Sequence, residues 1–282
     1  MEKSFTILWL AIIILLTGCT QEYRLERMYY HAEKKYMEIL KNPFQANTEQ
    51  VDEAIADFDK IIHINPNWDG IKNVRYAIAH LYFLKKDFGS AREKFKKIIS
   101  DFPLQKEMCL QARCFIGLSY QQEDKWDKAL VVFEKIMNDY PLTQMSMSLS
   151  HYIAKYYQND KKYHLAEEVL RNAITKYEKI INDYPYEKRL IIVIEDFIIK
   201  TYEELNDWAG VVNTLQKIVV RDHNTDRGAQ SLYRLAKIYE SKNEIKKAIN
   251  IYNQFIKDYP DHKFASIAKA KVHSLQLTLP NE

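Results

Sequence analysis

The residues in this chain with chemistry to offer are eight histidines, three cysteines and 38 carboxylates. A metal-assisted hydrolase would show two His four residues apart on one helix face with a Glu between them. No two His here are four apart. A nucleophilic Ser would need a Gly-x-Ser-x-Gly elbow, and a phosphate cradle needs clustered glycines; the six Gly are dispersed and neither pattern occurs. Carboxylates are spread along Lys-rich stretches, so none pairs off for acid–base work. Cys109 and Cys114 lie five apart in helical sequence, point to different faces and predict no disulfide. They read as small packing residues. The expectation is no enzyme, no metal site and no cofactor, and the question becomes one of binding.

The elements that would position a binding surface repeat along the chain. Aligned blocks read Val51-x-x-Ala54-x-x-x-Phe58-x-x-Ile61…Pro66 and Phe88-x-x-Ala91-x-x-x-Phe95-x-x-Ile98…Pro103. Trp126-x-x-Ala129-x-x-x-Phe133-x-x-Ile136…Pro141 and Leu170-x-x-Ala173-x-x-x-Tyr177-x-x-Ile180…Pro185 follow. Trp208-x-x-Val211-x-x-x-Leu215-x-x-Ile218…His223 and Ile245-x-x-Ala248-x-x-x-Tyr252-x-x-Phe255…Pro260 close the series. Block ends are spaced 37, 38, 44, 38 and 37 residues apart. The pattern predicts two helices per block, A and B, with proline ending each B helix because it cannot continue one.

Helix A carries Tyr82, Tyr120, Tyr157, Tyr202 or Tyr239, with Ala79, Gly117, Ala154, Ile199 or Ala236 three residues before. The small residue lets two helices approach, and Ile199 should force a wider crossing. Asp87, Asp124, Asp160, Asp207 and Asn243 fall in the A–B turns, where they can cap the next helix. The 44-residue interval arises where Tyr163-x-x-Ala166-x-x-x-Leu170 and Leu170-x-x-Ala173-x-x-x-Tyr177 both fit helix B, seven residues apart. Seven residues are nearly two turns, about 10 Å with only ~20° of drift, which predicts one unbroken helix over 163–183. Leu190–Ile194 is more apolar than one helix face needs: it is either covered by that long helix or a docking patch. A terminal helix over 262–277, with Phe264, Ile267, Ala268, Val272 and Leu275 inward, should cap the array.

A net charge of +3 from 41 basic and 38 acidic residues argues against nucleic acid. At the N-terminus, Lys3 precedes the apolar run Phe5–Leu16. A run of about a dozen residues is short for a membrane span but suits a signal peptide. Leu16-Thr17-Gly18-Cys19 resembles a bacterial lipoprotein box. That resemblance implies signal removal after residue 18 and acylation of Cys19, each buried methylene contributing about 0.8 kcal/mol. Thr20, in place of the retention Asp of such proteins, implies the outer membrane, facing the periplasm. Residues 19–22 would be a tether of at most ~14 Å, and 23–278 the repeat domain.

The set Ile116-Gly117-x-x-Tyr120, Ala129, Phe133 and Pro141 resembles the tetratricopeptide repeat. The resemblance implies an all-α, right-handed superhelical solenoid of about six hairpins plus a capping helix, with helix A lining a groove for proteins or peptides. Helical spacing then nominates Tyr76, His80, Phe83, Gln111, Cys114, Leu118 and Gln121, and further on His151, Lys155, Gln158, Asp196, Lys200, Glu203, Tyr233, Lys237 and Glu240. His80 beside Tyr76 reads foremost as an interhelix packing residue. Acidic-aromatic-proline ends behind a lipoprotein box resemble the BamD-type lipoproteins, which implies a scaffold in outer-membrane protein assembly. A pilus-biogenesis pilotin, a cell-wall or division coordinator and a nutrient-binding lipoprotein are the other readings.

Overall fold

A computed structural model describes residues 2–43 and 47–279, the side chains of residues 2–20 excepted. The described residues form thirteen helices and no strand. Helices α1 (Glu2–Lys41), α2 (Thr48–Ile64), α3 (Ile71–Leu84), α4 (Phe88–Asp101), α5 (Lys106–Gln122) and α6 (Trp126–Asp139) belong to a first compact unit, Met1–Pro141. Helices α7 (Gln144–Asn159), α8 (Tyr163–Asp183), α9 (Lys188–Glu204), α10 (Trp208–Arg221), α11 (Asp226–Ser241), α12 (Ile245–Asp258) and α13 (Ala265–Gln276) belong to a second, Leu142–Glu282. Successive helices pair as hairpins, three in each unit, and α13 packs on α12. The stretch read as a tether, 19–22, falls inside α1, and the Cys19 side chain lies outside the described residues.

The repeated apolar positions are the core. Ala91, Phe95 and Ile98 are buried on α4; Ala129, Phe133 and Ile136 on α6; Ala248, Tyr252 and Phe255 on α12. Each large side chain so buried contributes roughly 1.5–3 kcal/mol. The small helix-A residue has a visible cause in α5: a Cβ on Gly117 would stand 2.4 Å from the Phe133 ring. In α9 the same position is Ile199, buried at 3% exposure, and α9 is held more sparsely by α8 and α10 than other neighbours in its unit. Gly210 meets α9 from α10, letting the Tyr202 ring lie against its backbone.

Five A–B turns share one geometry. Lys86, Asp124, Lys161, Asn206 and Asn243 adopt φ between 55° and 67°. The next N–H in each case bonds back to the carbonyl of the repeat tyrosine, as Asp87 N–H does to Tyr82 O and Lys125 N–H to Tyr120 O, at 3.0 and 2.9 Å. This is a Schellman closure of helix A, and its last residue is already the N-cap of helix B. Asp87 and Asp207 cap with their side chains as expected. Asp124 and Asn243 instead occupy the left-handed position, which Asn and Asp tolerate best after Gly, and Asp160 closes α7.

Helix B is 14 residues long in α4, α6, α10 and α12, and 21 in α8. Its continuity over 163–183 is as the overlapping motifs predict. The C-terminal helix differs from expectation: it starts at Ala265, because His262 Nδ1 accepts the Phe264 N–H and holds that segment in a turn. Ala265 takes the inward place assigned to Ile267, which is 47% exposed.

Candidate functional site

In the first unit the helix-A face is aromatic. Tyr76, His80 and Phe83 project from α3 at helical spacing, and Phe115 of α5 enters between them. Its ring stacks on Phe95 at 5.2 Å and lies 4.5 Å from His80 and 5.1 Å from Phe83. Tyr36 of α1 reaches His80 Nδ1 at 2.6 Å. Burial drives the His80 pKa down to about 4 and raises that of Tyr36. The imidazole is therefore neutral near pH 7 and shares one hydrogen bond with the Tyr36 phenol. Three nominated groove residues thus pack among rings and are half-buried. Gln111 donates to Glu107, while Cys114, Leu118 and Gln121 are half-buried. Burial pushes the Cys114 thiol up to about 11, so it is no nucleophile near neutrality.

In the second unit the corresponding face is ionic. His151 is buried, its Nδ1 2.8 Å from Glu204 Oε2 and its Nε2 3.3 Å from Thr201 Oγ1. Lys155 is exposed, Gln158 half-buried, and Lys200 lies 3.9 Å from Glu204. The structure gathers Asp196, Tyr233 and Lys237 on one groove of ≈ 400 Å³, floored by Ile199, Leu215 and Ile218 and closed by Phe264. Arg227, Gln230 and Arg234 complete its rim. Arg234 bonds Glu203, and Glu240 is taken up by Tyr252 and Lys271.

Beneath the rim sits a cluster the sequence reading missed. Glu195, buried on α9, receives both guanidinium nitrogens of Arg221 at 2.6 and 2.9 Å. Arg227 adds a bond to Asp196 at 2.9 Å and approaches Glu195 at 3.3 Å, while Asp222 binds Arg221 from its other side. The signal was available: Glu195 sits seven residues before Tyr202, where Arg75 sits before Tyr82. Leu190–Ile194 resolves by helix face, with Ile191 and Ile194 buried and Ile192 and Val193 exposed at 37% and 40%. Among the described residues no group of three His, Cys, Asp or Glu could hold a metal ion. The groove offers an apolar floor with a charged rim, which suits an extended peptide.

A tetratricopeptide repeat family profile matches residues 116–143 and 230–262. Both segments cross an A–B turn, the first with its left-handed residue at Asp124, the second at Asn243. Repeats of this kind generally mediate protein–protein binding. Among solved structures, a tetratricopeptide repeat protein from Parabacteroides merdae is similar at 10% identity, covering 89% of this chain and 99% of its own, with a TM-score of 0.37. The TPR2AB domain of yeast Sti1, in complex with pHSP90, is similar at 14% identity, covering 88% and 99%, with a TM-score of 0.32. No curated protein matches this chain.

Proposed function

We propose that this protein is a lipid-anchored scaffold of a bacterial envelope that holds peptide segments of other proteins, in the service of outer-membrane protein assembly. The observation that carries the binding half is the helix-A groove of the second unit, ≈ 400 Å³ with an apolar floor open to solvent. Its rim cations are largely spoken for by Glu195, Asp196 and Glu203, so side-chain shape and a few polar bonds select the peptide. The anchoring half is supported by Leu16-Thr17-Gly18-Cys19 after a short apolar run.

Two measurements test the two halves separately. Cys19→Ala should move the protein from the membrane fraction to the soluble fraction with its signal uncleaved; unchanged partitioning and cleavage would end the acylation reading. Gln230→Lys with Lys237→Glu changes exposed rim residues and leaves the floor intact. Affinity capture of the membrane-solubilised protein should then lose its barrel-assembly partners while circular dichroism stays the same. Pilus secretins or wall enzymes in the wild-type capture would redirect the assignment.

A further inference from the structure

We propose that the groove between α4, α5 and α6 of the first unit is a binding pocket for an anionic group on a short aliphatic stem, a carboxylate or a phosphate. This site is distinct from the peptide groove of the second unit and does not depend on it. Its volume is ≈ 270 Å³, and its walls are Lys96 and Ile99, Arg113 and Ile116, and Val131, Val132 and Lys135. Three cations and no carboxylate line it, over an apolar floor. Drug-sized ligands occupy pockets of about 300–1,000 Å³, so this one takes a head group and a few methylenes. Val131, 65% exposed at its edge, gives the stem an apolar way out.

The preceding repeat holds the same groove as an internal control. Its lining is Asp59 and Ile62, Arg75 and Ile78, Lys94, Lys97 and Ile98. Counting by the repeat interval, Arg75 corresponds to Arg113, Lys97 to Lys135, Asp59 to Lys96 and Asp101 to Asp139. In the first groove Arg75 bonds Asp101 at 2.5 Å and lies over the Phe102 ring, and Asp59 supplies a wall carboxylate. In the second, Lys replaces the Asp59 wall, and Asp139 lies 3.7 Å from Lys135 instead of bonding the arginine. Arg113 has no ion-pair partner among the described residues, and its Nε is fully buried with no hydrogen-bond acceptor. A guanidinium that lines a groove without a carboxylate partner matches a carboxylate or phosphate edge through its fork. The same repeat position is thus saturated in one groove and left open in the next.

The test uses the full chain in lipid nanodiscs with labelled Ile and Val methyls. Hexanoate and hexyl phosphate should shift Val131, Val132, Ile99 and Ile116 saturably. Inorganic phosphate, which lacks the stem, and hexanol, which lacks the charge, should bind at least about tenfold more weakly. Hexanoate alone binding assigns a carboxylate, hexyl phosphate alone a phosphate. Arg113→Gln should weaken both by about tenfold or more. The exposed Lys96→Gln, which does not threaten the fold, should weaken them about threefold. Binding by hexanol as tight as by hexanoate, or affinity unchanged in both variants, would overturn the proposal.

Discussion

Arg75 on α3 reaches Asp101 at the end of α4, whereas in the second unit Glu195 on α9 takes the place of Arg75 and Arg221 that of Asp101. One repeat position joins helix A to the far end of helix B in both halves, with the charges exchanged. The surroundings differ as well. Around Arg75 the helix-A face fills with Tyr76, His80, Phe83 and Phe115; around Glu195 it fills with Arg227, Asp196, Arg234 and Glu203. The repeat prescribes where two helices must be tied, and leaves open whether rings or ions tie them.

The largest effect that could break this comparison lies in burial. Glu195 is 8% exposed, against 26% and 32% for Arg75 and Asp101. Arg221→Ala with Arg227→Ala leaves Glu195 charged and unpaired, at an expected cost of about 3–5 kcal/mol in urea unfolding. Arg75→Ala should cost about 1 kcal/mol or less. Equal losses would mean that the two ties are equivalent after all.

The aromatic tie has its own signature, in pH. His80 has a folded pKa of about 4 against 6.5 ordinarily, so the unfolded chain takes up its proton first. Stability is intact above pH 6.5 and falls as pH drops toward 4, by about 3 kcal/mol. Asp57, held by Lys35 and Lys60, and Glu123, held by Lys125 and Arg92, have lowered pKa values in the same unit, and their contribution is lost at still more acid pH. His80→Leu should flatten the first-unit unfolding midpoint between pH 6.5 and 4.5; an unchanged slope would place the acid sensitivity elsewhere. The smallest effect sharpens what both units share. Lys161 holds φ 58° without glycine's freedom, and Lys161→Gly should raise stability by about 1 kcal/mol or less. A lower melting temperature would show that the lysine side chain has a role in the turn.

Helix order and the long α8 were legible because apolar spacing and proline act locally. Burial of Ala91, Phe95 and Ile98 follows from period alone. The candidate site was legible in part: Asp196, Tyr233 and Lys237 do converge on one groove. Tyr76, His80 and Phe83 turned to ring packing because Phe115, one repeat further on, inserts between them. Spacing along one helix cannot announce a side chain arriving from the next. Glu195 was passed over because a lone carboxylate in an apolar run reads as solvated until its arginines, 26 and 32 residues away, are seen beside it.

The A–B turns leave no residue to spare. One amino acid ends helix A, and the next already caps helix B, in all five. An insertion in such a turn would undo two helix ends together, and a single extra residue in a helix body would swing every later side chain by about 100°. Among the helix-B elements that follow these five turns, the change in length is the step from 14 to 21. Seven residues bring the apolar stripe back into phase, so a helix B that starts from one of these turns can lengthen by a heptad and keep its face on the same neighbours.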